Sequence, residues 1–161
     1  MQAKDTLNHP LLTAISLPPP SGRIIAFDPG TRKWGVAVSD PGQHIASPVD
    51  SLLSTNWKKL LKSIQTLIGD YDAVAVVVGL PLESSGKCGP MADYVLQKVE
   101  KLKRSINIPV YLQDERVTTY EARSRIWLRG GKPDIDHHET DPEAAAVILG
   151  DFLDRLTSAR K

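Results

Sequence analysis

Arg23-Ile24-Ile25-Ala26-Phe27-Asp28-Pro29-Gly30-Thr31-Arg32-Lys33-Trp34-Gly35-Val36-Ala37-Val38-Ser39-Asp40 is the stretch whose reading decides the fold. The apolar run Ile24 to Phe27 stops at Asp28-Pro29-Gly30, as a strand does when it delivers a carboxylate into a turn. A second run, Trp34 to Val38, follows and stops at Asp40-Pro41-Gly42, after which Ile45 to Leu52 reads as a third strand. Strands joined so closely make an antiparallel start to a sheet. Asp28 is the informative residue, because an ionised side chain closing an apolar strand must face solvent or a cation. Asp-Pro-Gly is also a favourable turn by itself, so Asp28 alone decides nothing.

Beyond this opening the pattern changes to helix alternating with strand. Leu60, Leu61, Ile64, Leu67 and Ile68 recur at helical spacing from Trp57 to Ile68, with Asn56 placed to cap. Ala73 to Val78 is an unbroken, mostly β-branched run, as in a central strand buried on both faces, and it ends at Gly79-Leu80-Pro81. Met91 to Arg104 reads as a second amphipathic helix, and Val110 to Gln113 as a strand ending at Asp114-Glu115-Arg116. Thr118 and Glu121 have capping-box spacing for a helix that stops at Gly130-Gly131. Thr140-Asp141-Pro142-Glu143 opens another helix, Ala144 to Leu156, with proline in its first turn. The expected architecture is α/β: a mixed five-stranded sheet, three antiparallel strands and then parallel ones, flanked by helices. Residues 1–22, ending in Pro18-Pro19-Pro20-Ser21-Gly22, read as a flexible tail dispensable for folding, 23–157 as the domain and 158–161 as a C-terminal tail.

Composition sets the bounds on function. A chain of 161 residues is the size of one domain, and its hydrophobic share of 41% and charged share of 24% are those of an ordinary globular protein. Cys88 is the single cysteine, which excludes an internal disulfide and a multi-cysteine zinc site and fits a reducing cytoplasm. No apolar run approaches a membrane span, and Leu11 to Leu17 lacks the basic flank of a leader, so a cytoplasmic location without membrane partners is expected. The net charge of +1 gives no global attraction to nucleic acid, and any such binding has to come from a local patch. Arg116, Arg123, Arg125, Arg129 and Lys132 form one candidate, although such runs are more often a solvated helix face.

Three carboxylates stand at the ends of elements that this topology carries to one sheet edge, where ligands bind in open α/β folds: Asp28, Glu115 and Asp141. Each has an ordinary explanation: a turn aspartate, a surface ion pair with Arg116, and a helix cap before Pro142. Together they point to a cation, since clustered like charges without one would shift their protonation. All-oxygen ligands select Mg2+ or Mn2+ over zinc. In two-metal nucleases such ions clamp the attacking and leaving oxygens of a phosphodiester, so hydrolysis of nucleic acid is the chemistry expected. Arg32, Lys33, Arg116 and Arg123 are candidate phosphate contacts. Gly79, like Gly30 and Gly35, is a place where backbone can approach a phosphate, and His137 and His138 are loop histidines near Asp141.

With these residues in view the chain resembles a known family, the YqgF or RuvX-type bacterial proteins of the ribonuclease-H-like superfamily, described as Holliday-junction resolvases and precursor ribosomal RNA nucleases. The resemblance covers Arg23 to Leu156. It rests on Phe27-Asp28-Pro29-Gly30-Thr31 through Asp40, Val78-Gly79-Leu80-Pro81-Leu82, Asp114-Glu115-Arg116-Val117-Thr118-Thr119, and Asp141 before Ala144-Ala145-Ala146-Val147-Ile148-Leu149. It implies a ribonuclease-H-like fold, places the family's acidic triad on Asp28, Glu115 and Asp141, and implies a role at the 5′ end of pre-16S rRNA. Junction cleavage is the alternative it implies. The chain departs from the family pattern at Trp34, where an aliphatic residue is usual, and at Glu83, where asparagine is expected.

Two other readings compete. Asp28-Pro29-Gly30-Thr31 also looks like the first phosphate loop of actin-like ATPases and sugar kinases, but those need two such subdomains and this chain has room for one. A catalytically silent module binding nucleic acid or a partner is the third reading. The partners expected are pre-rRNA or branched DNA, with ribosomal or RNA-processing proteins in addition, for a monomer or a homodimer.

Overall fold

The computed structural model describes residues 16–83, 85–115 and 142–160. Five strands form one sheet in the order β3-β2-β1-β4-β5: β1 (Ile24–Pro29), β2 (Lys33–Ser39), β3 (Ala46–Leu53), β4 (Ala75–Leu80) and β5 (Val110–Asp114). β1, β2 and β3 pair antiparallel, whereas β4 pairs parallel to both β1 and β5. This is the mixed sheet expected. Three helices complete the described residues: α1 (Trp57–Tyr71), α2 (Pro90–Ser105) and α3 (Pro142–Ala159). The helix expected after Thr118 lies outside them.

Side-chain alternation divides the sheet into two faces. Ile25, Phe27, Trp34, Val36, Val76, Val78, Val110 and Leu112 point to one face and pack with Leu60 and Ile64 of α1 and Val95, Val99 and Leu102 of α2. Ile24, Ala26, Ala37, Ala75, Val77 and Tyr111 point to the other, beneath Ala145, Ile148, Leu149, Phe152, Leu153 and Leu156 of α3. Three alanines, Ala26, Ala37 and Ala75, lie on the sheet under α3.

Local signals explain the boundaries. Asn56 caps α1, its Oδ1 accepting from the Lys59 amide at 3.0 Å. At the other end Asp72 takes a left-handed conformation, and Ala73 donates its N–H to Ile68 O. Ala73 is thereby used in ending α1, so β4 begins at Ala75 rather than at the expected Ala73. β4 also runs two residues further than expected, because Leu80 still pairs with Asp114. Among the described residues no helix is long and apolar enough to cross a membrane.

The expected N-terminal tail is corrected from Ser16 onward. Pro18 is buried, and the buried Gln43 donates through Nε2 to Pro19 O at 2.8 Å and Gly22 O at 3.0 Å. Arg160 donates to Gln43 Oε1, Pro18 O and Pro19 O, and the Tyr111 hydroxyl donates to Ser16 O. Burial pushes that hydroxyl's pKa upward. Proline cannot donate, but its carbonyl accepts, and that is the group used here. The expected C-terminal tail is corrected as well, since α3 continues to Ala159 and Arg160 is held. A chain beginning at Gly22 is therefore expected to be less stable than one beginning at Ser16, by about 1–3 kcal/mol. Urea melts of the two chains check this, with equal midpoints as the contrary result.

Candidate active site

The carboxyl ends of β1, β4 and β5 lie at one edge of the sheet because the three strands are parallel. Phe27 is level with Val78 and Gly79 with Gln113, so Asp28, Gly79 and Gln113 stand side by side across three strands. Alternation sets their face. Asp28 follows Ala26, Gly79 follows Val77 and Gln113 follows Tyr111, all on the α3 face. Glu115 shares that face, and Asp114 takes the opposite one with Leu112. The pleat thus puts Glu115, and not its acidic neighbour, on the same face as Asp28.

Glu115 is only 6% exposed, and its amide donates to Leu80 O at 3.0 Å, which holds the residue just past β5 against the end of β4. Its side chain leans back over Gly79. A Cβ on Gly79 would stand 2.9 Å from Glu115 Cγ and 2.6 Å from Ile148 Cδ1, both too close for real contacts. Gly79 was expected to admit a phosphate; the structure gives it the duty of making room for Glu115 and α3. Asp28 is half-buried on β1, the strand beside Gly79, and Glu115, just past β5, reaches back over Gly79 from the far side of β4. Asp28 also lies within β1, opposite Gly35, rather than in the turn after it.

The basic residues expected near Asp28 are at the same edge. Arg32 and Lys33 are exposed at the β1–β2 turn. Ser54, which the sequence did not single out, staples this turn to the end of β3: its amide donates to Arg32 O at 2.8 Å and its hydroxyl to Gly30 O at 3.2 Å. Gln113, also unanticipated, is buried on the site face and accepts from Arg155 Nη1 of α3 at 2.8 Å. Neither carries a recognisable local signal, since both partners are distant in sequence.

Asp141, Arg116, Arg123, His137 and His138 lie outside the described residues, as does the rest of the candidate patch Arg125, Arg129 and Lys132. α3 begins at Pro142, the residue after Asp141. Ile148 of α3 meets Gly79 near the carboxyl edge, while Arg160 meets Pro18 and Pro19 beyond the opposite edge. α3 therefore points its N-terminus, the positive end of its dipole, toward the edge that carries Asp28 and Glu115.

A divalent cation fits the residues present. Two carboxylates share a face at the carboxyl edge, on β1 and just past β5 with β4 between them, one of them is buried, and Gly79 of β4 leaves the room that the Glu115 side chain occupies. No cluster of three metal-ligating side chains occurs among the described residues. The two departures from the family pattern are also accounted for. Trp34 is fully buried on the α1 face between Phe27 and Trp57, with ring centroids 6.0 and 6.3 Å away. Glu83 is exposed and lies against Gly89 at the head of α2.

Gly79→Ala is expected to cost about 1–3 kcal/mol through the overpacked contact with Ile148 and to push Glu115 out of place. A urea melt and a Mn2+ titration of the same variant check both parts; unchanged stability and unchanged metal affinity would remove the packing duty assigned to Gly79.

Comparison with known proteins agrees with this architecture. The family model described as "RuvX: Holliday junction resolvase" matches residues 22–155. A protein of Roseiflexus sp. (strain RS-1) named "Putative pre-16S rRNA nuclease" is 44% identical over 133 residues, 83% of this chain and 94% of that protein. A Rickettsia felis protein of the same name is 36% identical over 137 residues, 85% of this chain and 89% of its own. Among solved structures, Thermus thermophilus RuvC, alone and with a Holliday junction substrate, superposes with TM-scores of 0.52 and 0.51 at 14% identity, covering 84% of this chain and 96% of RuvC. That likeness shows the fold. The parallel strands, the acids at their ends and the family match over residues 22–155 lead to one conclusion: this chain belongs to the RuvX Holliday junction resolvase family.

Proposed function

We propose that this protein is a metal-dependent nuclease that hydrolyses phosphodiester bonds and acts on pre-16S rRNA. The observation that carries the reading is the placement of Asp28 and Glu115 on one face at one strand edge, with Glu115 buried over Gly79. Buried carboxylates close together are costly unless they are protonated or serve a cation. Asp28 and Glu115 would hold Mg2+ or Mn2+, with Asp141 as the third carboxylate. A bound divalent cation would polarise the scissile phosphate and lower the pKa of a water attacking it. The substrate follows from relatives named as pre-16S rRNA nucleases that match most of this chain.

The chain's own groups supply the remaining parts. The rigid sheet holds Asp28 and Glu115 in fixed relation, so no reorganisation is needed when charge develops on the phosphate. The N-terminus of α3 adds a positive field at the same edge. Arg32 and Lys33, on the turn stapled by Ser54, would contact flanking phosphates and set register without reading sequence. Branched DNA is the second reading, favoured by the family description and by the fold shared with a resolvase.

Asp28→Asn and Glu115→Gln are each expected to reduce cleavage at least about a hundredfold while leaving the fold intact, as loss of one group stabilising transition-state charge does. The assay sets precursor rRNA, single-stranded RNA and a four-way DNA junction side by side with Mg2+ or Mn2+. Cutting of RNA only supports the first reading, cutting of the junction only the second, and full activity in both variants contradicts the site itself. Asp141→Asn separates a ligand from a helix cap. Asparagine caps about as well as aspartate, so a metal ligand predicts a normal melting temperature with lost cleavage, and a mere cap predicts both retained.

A further inference from the structure

The sheet face opposite α3 carries a second feature that the proposed site does not use. α1 has Lys58, Lys59 and Lys62 in its first two turns and no acid in its first turn. This is the positive end of the helix dipole, where acids stabilise and lysines do not. Beside it, Lys98 and Lys101 of α2 lie over the Trp57 ring at 5.3 and 5.9 Å, and Lys98 also lies 5.4 Å from the Tyr94 ring. Burial, and then the nearby Lys101, lower the pKa of Lys98. None of these five lysines is ion-paired with a carboxylate among the described residues. Glu100 is about 200° around α2 from Lys98, and Asp50, the acid on β3, accepts from the Ser51 amide.

Position gives this charge a direction. α1 starts at the site edge, because Ser54 joins the end of β3 to the Arg32 turn and Trp57 packs on Trp34. Lys59 and Lys62 line an open groove of ≈ 460 Å³ with Leu52, Ser63, Thr66 and Leu67. Basic residues thus lie at the Arg32 and Lys33 turn, over the head of α1 and at the α1–α2 seam. Lys58, Lys59 and Lys62 oppose the dipole of α1, Lys98 and Lys101 add like charge beside them, and such a concentration of one sign attracts an anion.

We infer that Lys58, Lys59, Lys62, Lys98 and Lys101 form a track for a nucleic-acid phosphate backbone, leading a flanking strand of the substrate away from Asp28 and Glu115 across the outer face of α1 and α2. The inference rests on the nuclease reading for its polyanion, but it is tested by binding, without cleavage. The track is sequence-blind: lysines contact phosphate as point charges, and the aromatic rings beneath them hold the ammonium groups in place.

The test measures fluorescence anisotropy of labelled oligouridylates of about 30 and about 5 nucleotides, the first longer than a typical single-strand site and the second near its lower limit, in the absence of divalent metal over a salt series. Lys58→Glu, Lys59→Glu, Lys62→Glu, made together, is expected to weaken binding of the long strand at least about tenfold and to flatten the log–log salt slope by roughly 2, three phosphate contacts at about 0.7 each. Binding of the short strand is expected to change far less. The same triple variant places acids at the N-terminus of α1, so its melting temperature is expected to hold or rise, and weakened binding cannot then be laid to unfolding. Lys98→Gln with Lys101→Gln is expected to lower affinity for the long strand independently. Wild-type affinity and salt slope in both variants would overturn the track, including where the surface instead serves an acidic protein. Asp28→Asn, by contrast, leaves the track intact, so loss of cleavage with retained long-strand binding separates failure of the site from failure of the track.

Discussion

Phe27 pairs with Val78, Val78 with Leu112, and Gly79 with Gln113 in one parallel register, and nearly everything at the site depends on that alignment. Parallel pairing sends three carboxyl ends to the same edge, and the two-residue alternation then decides which side chains share a face. A one-residue slip of β5 would turn Glu115 toward α1 and α2 and bring Asp114 to the α3 side. The slip is resisted by the burial of Val110 and Leu112 on one face and Tyr111 on the other, so the same apolar contacts that stabilise the sheet fix the position of an acid. Gly79 is where the two requirements meet, since its missing side chain is occupied by Glu115 and by Ile148 of α3.

The two faces of the sheet do different work. Under α3 the sheet includes three alanines and carries the acids at its edge; under α1 and α2 it carries the larger cluster of the core, with Trp34 and Phe27 in it. The acids require positive charge, which α3 provides through its N-terminus and the β1–β2 turn through Arg32 and Lys33. The opposite layer has a surplus of lysine at the head of α1. With a net charge of only +1 for the whole chain, recognition of a polyanion must come from placement, and the structure places cations on both sides of the Asp28 edge. Ser54 is the small residue that ties these regions together, because it fixes the turn carrying Arg32 to the strand that leads into α1.

Much of this was legible in the sequence where periodicity and turn chemistry agreed. The β1–β2–β3 opening, the Asn56 cap and the buried β4 run follow from local patterns, and Asp28 and Glu115 were recognisable because each ends an apolar strand. What was not legible depends on contacts distant in sequence. Gly79 reads as a place for a phosphate to approach until Ile148 is placed against it. The residues before Gly22 read as a tail because proline breaks regular structure, yet the carbonyls of Pro18 and Pro19 are the acceptors for Arg160 at the far end of the chain. Trp34 reads as an anomaly in a strand until Phe27 and Trp57 close around it. The lysines of α1 carry no signal in the sequence by themselves, and they gain one only beside Lys98 and Lys101.

The central claim is that Asp28 and Glu115 bind one divalent cation at the carboxyl edge of β1, β4 and β5. Titration of 15N-labelled protein with substoichiometric Mn2+ tests it most directly, because paramagnetic broadening falls steeply with distance from the ion. Selective loss of the Asp28, Gly79 and Glu115 amide signals, with those of Ile45 and Ala73 toward the opposite edge of the sheet spared, is the predicted result. Broadening centred elsewhere, or identical broadening after Asp28→Asn with Glu115→Gln, would contradict it.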